Sequence, residues 1–299
     1  MASSVQTIIV LFSAVIALII NNNFVESITF FKRQDFFVPG QADTFKGSMY
    51  EMANQLASRE HDASIGQFPW MVAIHASIID NNDEYSHCGG SIISNRWVLT
   101  AAHCVKQSEQ ILVMFGDVNN DHADSSFYQG PGFAMIASNV FSHPYWDGHH
   151  ENDIALLYMP EDIPFGPTVK PVKLSGHMDT DESYDGKKAL LMGWGDNGTG
   201  RRNSILQYGS LPIIPNNQCY DDGYIDPDLL CTASDTGVEA CQGDSGSPLM
   251  VYSQYYHQFI QVGIFSAGLD NDCPSAYPGW YTRVNSHYLW IQSVTGILF

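Results

Sequence analysis

The sequence predicts an all-β protein. Short apolar runs alternate with clusters of Asn, Asp, Gly and Ser from residue 68 to residue 266, and many short strands separated by turn signals are typical of β-sandwiches and β-barrels. Only residues 284–299 carry the apolar stripe of a helix, formed by Tyr288, Trp290 and Ile291. The chain is 12% aromatic and 15% charged, a balance that excludes a disordered polypeptide.

The predicted strands follow one another closely along the chain. Their apolar cores are residues 70–79, 91–94, 97–102, 111–115, 153–159, 189–194, 247–252 and 259–266. Proline punctuates residues 160–171 (PEDIPFGPTVKP), which predicts a linker between two halves. A chain of 299 residues is long enough for one large or two moderate domains.

The N-terminal residues predict export from the cell. Residues 7–20 (TIIVLFSAVIALII) are apolar but shorter than the roughly 20 residues that span a bilayer. We interpret residues 1–27 as a signal peptide rather than a retained anchor, although no Lys or Arg precedes the run. Residues 28–56 show no sustained period and are interpreted as a pro-segment, which leaves a domain at 57–299.

The cysteines and one sequon fit an extracellular protein. Six cysteines follow the leader, at Cys88, Cys104, Cys219, Cys231, Cys241 and Cys273. In an oxidising compartment all six can pair, and spacing alone leaves the connectivity open. They contain no Cys-x-x-Cys spacing, so a zinc site is not favoured. Asn197 is the single N-glycosylation acceptor, in Asn197-Gly-Thr199.

The charge balance excludes two classes of partner. Against 32 acidic residues stand 13 basic ones, a net charge of −19. Such a chain lacks the basic surface that binds nucleic acid or an anionic membrane. We therefore expect neither as a partner.

Three short strings suggest nucleophilic catalysis. In Cys241-Gln-Gly-Asp-Ser-Gly-Ser-Pro248, Ser245 lies between two glycines, and the backbone N–H groups of Gly243 and Ser245 could form an oxyanion hole. Thr100-Ala-Ala-His-Cys104 supplies His103, an imidazole able to take the serine proton near neutral pH. Asn152-Asp-Ile-Ala-Leu-Leu157 supplies Asp153, a carboxylate able to orient that imidazole. Taken alone, each string can also be explained without catalysis. Ser245 could belong to an ordinary turn, His103 could be a histidine of the core, and Asp153 could be the acid that precedes a strand.

Together, and in the order His103, Asp153, Ser245, the strings resemble trypsin/chymotrypsin-like serine endopeptidases. The resemblance begins at about residue 66 and includes Gly66-Gln-Phe-Pro-Trp70, Cys88-Gly-Gly-Ser91, Gly193-Trp-Gly195 and Pro278-Gly-Trp-Tyr-Thr282. It implies two antiparallel six-stranded Greek-key β-barrels, at about 57–165 and 166–299, with a C-terminal α-helix. The site would lie between the barrels.

The resemblance also implies roles for individual residues. Ser245 would attack the peptide carbonyl, His103 would carry the proton, and Asp153 would hold the imidazole with support from Ser266. Disulfides would join Cys88 to Cys104, Cys219 to Cys231, and Cys241 to Cys273. The expected partners are protein or peptide substrates and protease inhibitors. A monomer without a cofactor is the family default.

Primary specificity depends on Glu239, which occupies the position of the family's pocket floor. Gly268 and Gly279 match the glycines that keep the pocket walls open. A carboxylate there favours cleavage after Arg or Lys. The alternative is that Glu239 points away and leaves a small or apolar pocket.

Activation departs from the family pattern. In the family, a new N-terminus inserts beside the acid before the nucleophile, here Asp244. The matching positions read Ala57-Ser-Arg-Glu60 after Leu56. Three readings stay open: a cut after Leu56, an active state without such a cut, or a weakly active protease-like protein that binds or acts as a decoy.

Weaker signals lie on four segments. Residues 116–124 are acidic but lack an ordered calcium-loop pattern, which makes them a weak candidate for structural calcium. His143, His149 and His150 match no metal spacing and predict a solvated loop. The exposed pairs Lys187-Lys188 and Arg201-Arg202 are expected self-cleavage sites.

Overall fold

The computed structural model describes residues 61–78, 85–123, 127–180, 182–196, 198, 200–219, 226–234, 236–268 and 277–299. All belong to one compact unit, Gly47–Phe299. The predicted leader and pro-segment, positions 57–60, Asn197 and Cys273 lie outside the described residues. In the part that is described, no helix is long and apolar enough to cross a membrane.

The described residues form two β-sheets. In chain order, the strands are β1 (His61–Asp62), β2 (Met71–Ile78), β3 (Tyr85–Ile92), β4 (Trp97–Thr100), β5 (Ser108–Phe115), β6 (Phe133–Ile136), β7 (Asn139–Ser142), β8 (Ala155–Tyr158), β9 (Lys173–Leu174), β10 (Lys188–Gly193), β11 (Gln207–Ile214), β12 (Leu229–Thr232), β13 (Pro248–Ser253), β14 (Gln258–Ala267) and β15 (Gly279–Arg283).

The first sheet has the order β6-β5-β2-β3-β4-β8-β7, with antiparallel neighbours, and forms a half-barrel. In the second sheet, β11-β10-β13-β14-β15-β12 closes into a six-stranded barrel because β12 also pairs with β11. β1 extends this sheet beside β11, and β9 pairs with β14 in parallel. The segment between β8 and β9 connects the two sheets.

One α-helix, α1 (Tyr288–Thr295), follows a 3₁₀ turn at Asn285–His287. It is shorter than the predicted 284–299 at both ends. The 3₁₀ turn precedes it, and at the other end Gly296 adopts a left-handed conformation (φ 72°) and its N–H caps the carbonyl of Gln292. Ile291 is fully buried, whereas Leu289 is 64% exposed. The predicted all-β class with a terminal helix is confirmed.

The two sheets meet through polar contacts beside an apolar core. The Ser91 hydroxyl donates to Oε1 of buried Gln261 at 2.6 Å. The N–H of Gly89 donates to the carbonyl of Ser245 at 2.7 Å. A Cβ on Gly89 would overlap Ser247, so this junction requires glycine in the Cys-Gly-Gly-Ser string.

Candidate active site

His103 and Asp153 form the centre of the candidate active site. His103 follows β4, and Asp153 lies just before β8, the antiparallel neighbour of β4. The backbone N–H of His103 donates to Asp153 Oδ1 at 2.9 Å, and Nδ1 lies 2.6 Å from Oδ2. With Asp153 fully buried, its carboxylate fixes the proton on Nδ1, so Nε2 keeps its lone pair.

The second sheet completes the surroundings of Asp153. The Ser266 hydroxyl, on β14, donates to Asp153 Oδ2 at 2.6 Å. The Thr282 hydroxyl, on β15, donates to the Asp153 carbonyl at 2.9 Å. The resemblance implies a contact of Ser266 with Asp153, whereas nothing in the sequence marks Thr282 for this role. The hydrogen bonds from His103 and Ser266 satisfy the buried charge of the carboxylate, which would otherwise be costly.

Ser245 lies on a loop whose backbone is held on both sides. Its carbonyl accepts from Gly89, and the N–H of Gly246 donates to the carbonyl of Phe265 at 2.8 Å. Gly243 and Gly246 have positive φ angles of 98° and 78°, a conformation that favours glycine. Among the described residues, the N–H groups of Gly243 and Ser245 donate to no other protein group. Both remain available to an oxyanion.

The contact between Ser245 and His103 is not formed in this structure. Within the described residues the Ser245 hydroxyl makes no hydrogen bond to the His103 ring. The loop itself is adjacent, because a Cβ on Gly246 would overlap the hydroxyl of Thr100, three residues before His103. In protein structures without substrate, such catalytic hydrogen bonds are often long.

Asp244 is buried and oriented by backbone donors. Its Oδ1 accepts from the N–H of Gly195 at 2.7 Å, and its Oδ2 accepts from the N–H of Cys241 at 2.9 Å. A Cβ on Gly193 or Gly195 would overlap this carboxylate, which explains both glycines of the Gly-Trp-Gly string. The new N-terminus expected beside Asp244 falls outside the described residues.

Glu239 lies next to Asp244. The two line one small cavity together with Gly193 and Gly195. Burial raises the pKa of Tyr281, a hydrogen bond with Thr232 opposes this, and the charges of Asp244 and Glu239 add to the rise. Neither Gly268 nor Gly279 lines this cavity. Glu239 and Asp244 thus share this cavity, whereas Gly279 lies beside Tyr281.

The described residues include two complete disulfides, one of them next to the site. Cys88 pairs with Cys104, next to His103, and Cys219 pairs with Cys231. Cys241 is also disulfide-bonded, but its predicted partner lies outside the described residues.

His143 is half-buried, contrary to the solvated loop that the sequence predicts. Its ring lies 5.3 Å from that of His287 and 5.0 Å from that of Trp290. His287 in turn contacts Oδ1 of Asn152 at 3.1 Å, one residue before Asp153. Burial, with a smaller contribution from His287, lowers the pKa of His143 from 6.5 to about 4.

This shift predicts acid lability. On acidification the unfolded chain binds a proton at His143 first, so the free energy of unfolding falls between pH 6.5 and about 4. His143→Phe, which keeps a ring there, should preserve about 1 kcal/mol of stability at pH 4 relative to pH 7, allowing for solvent screening. Urea unfolding at both pH values measures this, with exposed His149→Phe as the control. Equal acid sensitivity in all three proteins would contradict the assignment.

In the acidic segment 116–124, the carboxylate of Asp117 accepts hydrogen bonds from other groups of the protein. Asp117 Oδ1 accepts from Val118 and Asn119, and Oδ2 lies 2.7 Å from both the Tyr128 hydroxyl and His122 Nδ1. Burial alone would raise the pKa of Asp117, but these hydrogen bonds and the His122 charge lower it overall. Asp117 thus anchors its loop through the protein's own groups.

The described residues contain one close group of three metal-ligand side chains, His103 with Cys88 and Cys104. Both cysteines are engaged in a disulfide, and a disulfide lacks the thiolate that binds metal. This group is therefore not a metal site.

Comparisons with known proteins agree with the fold and the site. The family model described as Trypsin matches residues 58–291. The chain is 29% identical to "Collagenase" of Hypoderma lineatum over 84% of this chain and 92% of that protein. It is 33% identical to "Venom serine protease Bi-VSP" of Bombus ignitus over 75% of this chain and 64% of that protein. A solved structure of HL collagenase is similar with a TM-score of 0.69 and 28% identity, over 80% of this chain and 98% of that one.

The fold and these similarities define a serine-type endopeptidase. The chain belongs to the trypsin family, as the resemblance of its motifs predicts.

Proposed function

We propose that the protein cleaves peptide bonds through Ser245, His103 and Asp153. The observation that supports this most is the convergence of both sheets on Asp153, which receives His103 from one sheet and Ser266 from the other. A buried carboxylate held in this way orients an imidazole with a free Nε2. The adjacent loop presents Ser245 between two glycines.

The reaction proceeds in two halves. The Ser245 oxygen attacks the carbonyl carbon while its proton passes to His103 Nε2, and the N–H groups of Gly243 and Ser245 stabilise the oxyanion. The C–N bond then breaks, and the imidazolium gives its proton to the departing amine. Water, deprotonated by His103, hydrolyses the remaining ester and restores Ser245.

We also propose that the protein is secreted and glycosylated at Asn197. The apolar leader at 7–20 and the even number of cysteines support export. The disulfides Cys88–Cys104 and Cys219–Cys231 fit an oxidising compartment. Named relatives include a venom serine protease.

A serine-directed fluorophosphonate probe tests the catalytic proposal. We expect the secreted protein to be labelled and the Ser245→Ala variant to stay unlabelled. N-terminal sequencing of the same material shows where the processed chain begins. Protein that still begins near residue 28 and never labels would support a binding or decoy role instead.

We propose cleavage after Arg or Lys. The charge of Glu239 supports this, since a partly buried carboxylate favours a cationic partner. The charge of Glu239 contributes to the raised pKa of the fully buried Tyr281. Tyr281 in turn lies beside Gly279, one of the predicted wall residues.

Glu239→Gln should lower the preference for Arg over Phe before the cleaved bond by about tenfold, because the bound cation loses its counter-charge. Fluorogenic peptides with Arg, Lys, Phe or Leu at that position measure the ratio of kcat/KM values. Glu161→Gln, in the exposed connection between the sheets, removes the same charge elsewhere and serves as the control. A wild-type preference for Phe or Leu would disprove the basic specificity.

A further inference from the structure

The residue before Asp153 has an uncommon backbone conformation. Asn152 has a φ angle of 56°, in the left-handed region that residues other than glycine seldom occupy. Of the four such residues in the described ranges, only Asn152 adjoins a member of the candidate triad. A conformation of this kind persists where the surrounding structure holds it, and it is common at functional sites. The contacts of Asn152 therefore bear on the position of Asp153.

Asp153 lies at the centre of a tight turn that begins at Asn152. The N–H of Ile154 donates to the carbonyl of Asn152 at 2.8 Å, which closes a three-residue turn around Asp153. Strand β8 begins one residue later, at Ala155. The direction in which the Asp153 side chain leaves the backbone is thus set by this turn.

The side chain of Asn152 is held at both of its polar atoms. Its Nδ2 donates to the carbonyl of Tyr145 at 3.2 Å. Because a carbonyl oxygen can only accept, this contact fixes the orientation of the amide. Asn152 Oδ1 then faces Nε2 of His287 at 3.1 Å, and Nε2 is the donor in that contact.

His287 connects this turn to the second sheet. It is buried and ends the 3₁₀ turn Asn285–His287 that follows β15. Its Nδ1 lies 2.9 Å from the carbonyl of Arg283, so both ring nitrogens face oxygen acceptors. A neutral imidazole donates to one of these oxygens, whereas an imidazolium donates to both. The ring of His143 packs against it edge to face, at 5.3 Å between ring centres.

We propose that His287 is a positioning residue, which through Asn152 directs the Asp153 carboxylate toward the imidazole of the triad. The inference rests on the proposed function, because it concerns the orientation of the same triad. Ser266 and Thr282 contact Asp153 itself. His287 acts one residue earlier, on the backbone that carries the carboxylate.

Two substitutions of His287 separate this role from a merely structural one. The amide nitrogen of Gln lies as far from the backbone as Nε2 of histidine, and that of Asn lies as far as Nδ1. His287→Gln therefore keeps the donor to Asn152, whereas His287→Asn keeps only the donor to the carbonyl of Arg283. If His287 merely stabilised its own 3₁₀ turn, His287→Asn would be the milder change.

We expect kcat to fall by about tenfold to 100-fold in His287→Asn, because a small displacement of the carboxylate misaligns the base. In His287→Gln the fall should stay below about threefold, and KM should change little in either variant. Ser286→Ala, in the exposed position of the same turn, is the control and should keep the wild-type kcat. The reverse order of His287→Gln and His287→Asn, or an equal loss in both, would overturn the proposal.

Asn152→Gly tests the side chain apart from the backbone conformation. Glycine adopts a positive φ freely, so the turn can still form, but both side-chain anchors are lost. We expect a loss of kcat similar to that of His287→Asn, and no further loss when the two changes are combined, because the contact is already absent. Thermal unfolding checks that the variants are folded. Wild-type kcat in Asn152→Gly, or additive losses in the double variant, would contradict the role of His287.

A spectroscopic measurement separates this proposal from the proposed function. His103 Nδ1 and Asp153 Oδ2 lie 2.6 Å apart, and the proton in such a short, charge-assisted hydrogen bond gives a downfield ¹H NMR resonance that needs no turnover. In the Ser245→Ala background, this resonance should move upfield or broaden with His287→Asn and stay near its original position with His287→Gln. If the wild-type protein hydrolyses no peptide ester, the proposed function fails, and the resonance still decides the positioning question. An unchanged resonance with His287→Asn would overturn the proposal.

Discussion

Replacement of Asp153 by Asn is expected to lower kcat by about 10⁴-fold while the protein stays folded. Asp153 accepts the backbone N–H of His103 through Oδ1 and the ring Nδ1–H through Oδ2. An amide nitrogen facing Nδ1 would donate a proton where the carboxylate accepts one. The ring would then carry its proton on Nε2, and the base that receives the Ser245 proton would be lost.

Steady-state kinetics on a peptide ester measure this loss, and thermal unfolding checks that Asp153→Asn is still folded. Ser266→Ala is the matched control, since it removes one hydrogen bond from the same Oδ2 but leaves the charge and the imidazole tautomer. We expect its kcat to fall by about tenfold. If Asp153→Asn retained activity close to that of Ser266→Ala, the carboxylate would not be orienting a catalytic base.

The sequence could predict the fold because its apolar runs are local signals. The run at 111–115 lies in β5, and the run at 189–194 covers most of β10. The same holds for the candidate triad, whose members each stand in a short, recognisable string. Their order along the chain then links them to one family, which the comparison with the Trypsin family model supports.

The contacts that complete the site could not be predicted, because they join residues far apart in the chain. Thr282 reaches Asp153 across 129 positions, and Ser91 reaches Gln261 across 170. No local pattern marks Thr or Gln for these roles. Arg202 is similar, since its closeness to Gly243 depends on how the loop before β11 folds back.

The burial of a titratable side chain could not be predicted from the sequence either. His143 belongs to a segment of three histidines near acidic residues, which predicts a solvated loop, yet it packs against α1 through Trp290. The C-terminal end of α1 could not be predicted from the apolar stripe either, because Gly296 ends the helix through a left-handed turn.

Gly89→Ala is expected to lower both stability and activity. The methyl group would overlap the Ser247 side chain and lie about 3.1 Å from its Cα, and backbone cannot yield as a flexible side chain does. Overpacking of this kind costs about 1–3 kcal/mol. Because the Gly89 N–H also holds the Ser245 carbonyl, any relief of the overlap must move the nucleophile loop. A displacement of about 1 Å there can cost roughly 100-fold in rate.

Gly166→Ala is the matched control for Gly89→Ala, because a Cβ at Gly166 would meet no atom within 4 Å. Both variants lose the same backbone freedom in the unfolded chain, so the difference between their urea midpoints isolates the overlap at Gly89. The kinetics then separate two causes. In one outcome, Gly89→Ala is destabilised but its folded fraction reacts with a fluorophosphonate at the wild-type rate. The contact between β3 and the Ser245 loop would then not determine the position of the nucleophile. Slower labelling of fully folded protein would show that the close approach of the two sheets is what keeps Ser245 in position to react.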